Sequence, residues 1–91
     1  VSFIDTLAEV IASRKENPQE GSYTNKLLAD PLQAAQKVGE EATEVIVAAL
    51  TQSDERLIEE MADLVYHSLV LLQTRDISWE QVVKTLENRH K

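Results

Sequence analysis

After Asp30-Pro31 the chain contains no further proline and one glycine, Gly39, so its remaining length runs without a strong backbone breaker. Only two Gly and two Pro occur in total, while Ala, Leu, Val, Glu and Gln dominate. A chain of this kind is predicted to be helical throughout, and the fold class is all-α.

The end signals divide it into four helices. Ser2 as N-cap, with Asp5 at the third helical position, opens a first helix from about Phe3 to Glu16, and Phe3, Leu7, Val10 and Ile11 form its apolar stripe. Residues Asn17 to Thr24 hold Pro18 and Gly21 and no periodic pattern, so they read as a loop, followed by a short helical turn through Lys26 to Ala29. Asp30-Pro31 pairs an N-cap with proline at the first helical position and starts a second helix from Pro31 to about Thr51. Ser53-Asp54-Glu55 opens a third, reaching about Thr74. Ser78-Trp79-Glu80-Gln81 has capping-box spacing and opens a fourth to about Asn88, which Trp79, Val82, Val83 and Leu86 should pack against the core. The two long helices, joined by a few residues, are expected to form an antiparallel hairpin. The Arg89-His90-Lys91 end reads as a basic terminus.

At 91 residues this is one domain, 1–91, near the lower size limit for a self-sufficient core. Either the helices pack very economically or a partner chain completes the core. There is no cysteine, so neither disulfides nor a thiolate-zinc site is available. The longest apolar runs, Val45 to Leu50 and Leu69 to Leu72, fall far short of the ~18 residues a bilayer span requires. No signal peptide is expected, and the default location is the cytoplasm. Nine Lys and Arg against sixteen Asp and Glu give a net charge of −7, which opposes nucleic acid and anionic membranes alike. An acidic domain can nevertheless bind polyphosphate when cations stand between carboxylates and phosphates.

Advancing about 100° per residue, the second helix places Val38, Ala42, Val45 and Ala49 on one face, with Glu41 beside them and Glu44 next to Glu41. The third places Leu57, Leu64 and Leu71 on one face with Glu60 among them and Asp63 one step around. Antiparallel packing would gather Glu41, Glu44, Glu60 and Asp63 at one level. Acidic i, i+3 pairs are often only a solvated face. Two such pairs intruding on facing apolar stripes make sense when cations neutralise them, because a buried unpaired carboxylate costs several kcal/mol or is protonated. Oxygen ligands without cysteine favour magnesium or manganese over zinc.

Lys37-Val38-Gly39-Glu40-Glu41-Ala42-Thr43-Glu44 followed by Glu60-Met61-Ala62-Asp63 resembles the EExxE and ExxD signature of the all-α nucleotide pyrophosphatases, the MazG-like superfamily. Within it, Gly21-Ser22-Tyr23-Thr24, Lys37-Val38-Gly39-Glu40-Glu41 and Ala62-Asp63-Leu64-Val65-Tyr66-His67 look like the phosphoribosyl-ATP pyrophosphatases of histidine biosynthesis, over Leu7 to His90. The resemblance implies a MazG-like helical hairpin completed by homodimerisation. It further implies magnesium-dependent hydrolysis of phosphoribosyl-ATP to phosphoribosyl-AMP and pyrophosphate, without the cyclohydrolase fused to this domain in some organisms. Carried over by position, Glu41, Glu44, Glu60 and Asp63 would be metal ligands and Glu40 a water-orienting group. Gln36 departs from the pattern, in which a second basic residue beside Lys37 is common.

Such chemistry is attack by water on phosphorus, with Glu41, Glu44 or a metal-activated water as alternatives for the base. Lys37, one turn before Glu41, is the candidate phosphate contact; its alternative is a surface ion pair with Glu41 or Glu40. Arg14, Lys15 and Lys26 bracket Ser22, Tyr23 and Thr24, whose hydroxyls are candidate donors to the phosphoribosyl part. His67, one turn after Asp63, is either a substrate contact or a satisfied packing residue, and Tyr66, on another side of the helix, is a candidate for a dimer interface. Two rival readings remain: a house-cleaning pyrophosphatase acting on free nucleoside triphosphates, and a non-catalytic helical dimerisation module.

Overall fold

A computed structural model describes residues 2–90. Val1 and Lys91, the ends of the expected domain and the last residue of the basic terminus, lie outside the described residues. Five helices occur, α1 (Phe3–Glu16), α2 (Tyr23–Leu28), α3 (Pro31–Thr51), α4 (Asp54–Thr74) and α5 (Trp79–Arg89), with no strand among the described residues. The all-α expectation holds.

The difference in helix number lies in α2. Ser22 Oγ accepts from the Asn25 backbone N–H at 3.2 Å, capping a helix where only a later turn was expected. Gly21, at φ +77°, supplies the left-handed turn immediately before it. Leu27, fully buried, anchors this short helix in the core. Tyr23 and Thr24 therefore sit on a helix rather than in a loop, which fixes the directions of their side chains.

α3 and α4 are joined by Gln52 and Ser53 alone and form the most extensive helix contact in the protein, an antiparallel hairpin. Ser53 Oγ caps α4 by accepting from the Arg56 backbone N–H, and Asp30 caps α3 likewise through Gln33. The core lies beside the C-terminal half of α4, where Ile11, Leu27, Ala34, Leu69 and Val70 bury together and Ile4, Leu7, Leu28, Val65 and Trp79 pack around them. α5 contributes no buried residue, and Leu86, expected to pack, is about half exposed.

The C-terminus of α4 ends with Asp76 N–H donating to Gln73 O and Ile77 N–H to Leu72 O, with Asp76 in the left-handed region at φ 57°. Lys15 Nζ closes this end, 3.0 Å from Gln73 O and 2.7 Å from Asp76 Oδ1. Among the described residues, no helix is long and apolar enough to cross a membrane.

Candidate metal centre

The buried positions of α3 are Ala34, Glu41 and Ala48, spaced by seven residues, or about two turns. The buried face is rotated from the expected stripe: Val38, Ala42 and Val45 are half-buried and Ala49 is exposed. Glu41, midway between the two alanines, therefore lies on the buried face of α3 itself instead of at its margin. On α4 the same spacing buries Glu60 and His67, while Leu57, Leu64 and Leu71 are only half-buried.

Antiparallel pairing thus brings the carboxylates together. One oxygen each from Glu41, Glu60 and Asp63 lies within 4.8 Å of the others, with Asp63 exposed at the opening. Each buried glutamate has a cation one turn earlier on its own helix. Lys37 Nζ is 3.3 Å from Glu41 and 3.5 Å from Glu40; Arg56 Nη2 is 2.9 Å from Glu60 while Nη1 is 2.6 Å from Glu59. Partial burial pulls the Lys37 ammonium down, but its bond to Glu41 and the charges of Tyr23, Glu40 and Glu41 keep it above its ordinary value.

These cations leave one oxygen unmet. Glu41 Oε2 is buried and has no hydrogen-bond partner, alone in this among the buried side-chain atoms of the described residues. An orphaned carboxylate oxygen is costly in a protein interior, and it fits a hard divalent cation shared with Glu60 and Asp63. Glu44, exposed on the next turn of α3, is raised from 4.5 to about 7 by hydrogen bonding to Glu60, then to Glu41, and by the charges of both. Two carboxylates hydrogen-bond only by sharing a proton, so this level of the hairpin carries more negative charge than it can hold alone.

α2 stands beside the acidic cluster. Tyr23 Oη lies 3.0 Å from His67 Nε2, whose Nδ1 lies 2.7 Å from the Asp63 carbonyl oxygen, and Thr24 Oγ1 bonds the Tyr66 hydroxyl. Tyr66 thus holds Thr24 of α2 within the chain and remains half-buried. Arg14 Nη1 donates to Ser22 Oγ at 3.2 Å, and its backbone oxygen accepts from Asn25 Nδ2 at 2.7 Å. Lys26 is exposed beside Ser22 and Tyr23 at a shallow hollow that Gln19, Gly21 and Asn25 also line. Lys15 is not brought to this site: it closes the end of α4 at Gln73, about 15 Å along the helix from Asp63.

Arg56 was not among the expected site residues, although its signal was legible. It precedes Glu60 by the same four residues that separate Lys37 from Glu41. The Tyr66 partner had no sequence signal, because it depends on where α2 docks.

The phosphoribosyl-ATP pyrophosphohydrolase family matches residues 4–90. A phosphoribosyl-ATP pyrophosphatase of Sulfurisphaera tokodaii is 49% identical over 92 residues, covering 99% of this chain and 97% of its own. One from Sulfolobus acidocaldarius is 45% identical over 91 residues, with 99% and 96% covered, and one from Erythrobacter litoralis is 48% identical over 90, with 98% and 86% covered. With the family matched nearly end to end and the acidic cluster in place on the hairpin, the chain belongs to the phosphoribosyl-ATP pyrophosphohydrolases.

Proposed function

We propose that this single domain hydrolyses phosphoribosyl-ATP to phosphoribosyl-AMP and pyrophosphate, the second step of histidine biosynthesis, with magnesium held by Glu41, Glu44, Glu60 and Asp63. Manganese has the same ligand preference. The observation that carries the metal assignment is the buried, unpartnered Glu41 Oε2 beside carboxylate oxygens of Glu60 and Asp63. When bound, the cation would withdraw charge from the phosphate oxygens and activate water.

The remaining roles belong to side chains. Lys37, held at the mouth by Glu40 and Glu41, is free to turn its ammonium to a substrate phosphate once a cation takes over Glu41. Glu40 orients water from the exposed side of that pair. Glu41 and Glu44 are the candidate proton acceptors, and Glu44 has open access to bulk solvent. Ser22, Tyr23, Thr24, Lys26 and Arg14 form the side from which the phosphoribosyl part would be met.

The working form is proposed to be a cytoplasmic homodimer. Leu32, Ile46, Val47 and Leu50 on α3 and Ile58 and Met61 on α4 are exposed, with Leu50 at 79%, and such a patch on two long helices suits a second hairpin.

The test is turnover with magnesium of phosphoribosyl-ATP against ATP, dATP and the other common triphosphates, with phosphoribosyl-AMP and pyrophosphate measured as products. The expected result is a strong preference for phosphoribosyl-ATP. Preference for free triphosphates would assign a house-cleaning role, and loss of neither activity on Glu41→Ala or Asp63→Ala would remove the metal assignment.

A further inference from the structure

Two consecutive residues of α4 grip two consecutive residues of α2. Tyr66 bonds Thr24, and His67 bonds Tyr23, while the three rings contact one another: Tyr23 and Tyr66 stack at 6.4 Å and 21°, and His67 meets both edge-on, at 5.9 Å from Tyr23 and 5.0 Å from Tyr66. His67 is buried, 7% exposed, yet neither of its nitrogens is unsatisfied.

The direction of these bonds follows from their partners. A carbonyl oxygen only accepts, so His67 Nδ1 must carry the proton it gives to Asp63 O. In the neutral ring, Nε2 is then a lone pair and accepts the Tyr23 hydroxyl proton. With its proton committed, the Tyr23 oxygen offers only lone pairs outward. A hydroxyl expected to donate to the substrate is thereby turned into an acceptor, suited to a sugar hydroxyl or the Lys37 ammonium and unsuited to a phosphate oxygen.

We propose that His67 is a positioning residue that holds Tyr23 as an acceptor-only hydroxyl, so that α2 reads a hydroxyl donor on the substrate's sugar beside the acidic centre. The kinetic part rests on the hydrolase reading above; the bonding part does not. Tyr23 is the residue that meets the ligand. His67 acts through it, and Tyr66 through Thr24 keeps α2 from turning away.

The experiment has two readouts. Long-range 1H–15N correlation of 15N-labelled protein at pH 8, without substrate, is expected to show His67 protonated at Nδ1 and not at Nε2, with the Nε2 resonance moving in Tyr23→Phe. In turnover assays, Tyr23→Phe and His67→Leu are each expected to raise KM for phosphoribosyl-ATP about tenfold, the equivalent of one hydrogen bond, with kcat within about twofold. The double variant should be no worse than either single, because the pair acts as a unit. His67→Gln, whose amide oxygen reaches toward the place of Nε2, should recover most of KM. Tyr23→Phe alters a half-exposed side chain, and circular dichroism checks that His67→Leu remains helical.

Protonation of Nε2 instead of Nδ1, additive losses of about a hundredfold, or a fall in kcat at unchanged KM would each overturn the proposal. A wild-type protein that shows the Nδ1 tautomer and the Tyr23-dependent shift but hydrolyses no phosphoribosyl-ATP would refute the functional reading and leave the Tyr23–His67 arrangement supported.

Discussion

Glu41 on α3 and Glu60 on α4 bury their carboxylates against one another at the middle of the hairpin, each side chain 7% exposed and each paired with a cation four residues earlier. Opposite charge along each helix only partly offsets like charge across the pair, since Glu41 Oε2 keeps no partner. A buried cluster of this kind is a weak source of stability and a good receptor for a divalent cation.

Neutral replacement at this point should separate activity from folding. Glu41→Gln and Asp63→Asn are each expected to lower kcat by more than about a hundredfold, as loss of a transition-state charge contact does. Glu41→Gln should also raise the melting temperature of the metal-free protein by about 4 °C or more, because removing an unsatisfied buried charge recovers ~1 kcal/mol. Lys37 retains Glu40 as a partner in that variant. Melting curves without metal, set beside turnover with magnesium, check both; a variant that is inactive because it is unfolded would contradict the assignment.

Magnesium should stabilise the wild-type chain by mass action. At a free concentration ten times Kd the gain is about 1.4 kcal/mol, reversed by chelation and absent in Glu41→Gln. Differential scanning calorimetry across a magnesium series, with calcium and manganese for comparison, measures it. Equal stabilisation of the wild type and Glu41→Gln would place the cation elsewhere.

The pH dependence has a definite sign. Glu44 is raised in the folded protein to about 7 from 4.5, so the folded state binds its proton more tightly than the unfolded chain does. Its contribution is fully present below about 4.5 and is lost as pH rises through about 7. Metal-free protein should therefore lose stability between about pH 5 and 7.5 through this group. Magnesium, by displacing the proton, should flatten the dependence, and Glu44→Gln should remove it. Melting temperature against pH in the presence of chelator is the measurement.

Lys15 should matter to stability and not to catalysis, because it closes the end of α4 and does not reach the acidic centre. Lys15→Met is expected to cost ~1 kcal/mol, limited by the exposure of Asp76, and to leave kcat and KM for phosphoribosyl-ATP unchanged. Urea denaturation and steady-state kinetics on the same preparation decide it. A rise in KM at unchanged stability would return Lys15 to the substrate.

Charge placed on the exposed hairpin face should prevent self-association. Leu50→Asp together with Ile58→Asp is expected to shift the mass in solution from dimer to monomer, as light scattering after size-exclusion chromatography would read it. An unchanged dimer would move the interface to another surface.

Local rules determined most of this protein from its sequence alone. Ser2, Asp30, Ser53 and Ser78 mark helix starts by side-chain chemistry that acts within three residues, and the structure begins α1, α3, α4 and α5 immediately after them. The spacing of Glu41, Glu44, Glu60 and Asp63, set on a short-looped hairpin, predicts an acidic convergence from helical periodicity and antiparallel pairing, and the structure groups Glu41, Glu60 and Asp63 with Glu44 exposed outside that trio. Tertiary structure alone decided the rotation of α3 that makes Glu41 central, since the face a helix buries depends on the neighbours that pack against it. It also decided that Lys15 closes a helix end, that Tyr66 meets Thr24, and that Tyr23 meets His67. Each of those bonds joins residues more than forty positions apart, and no periodicity within one helix carries information about a partner on another.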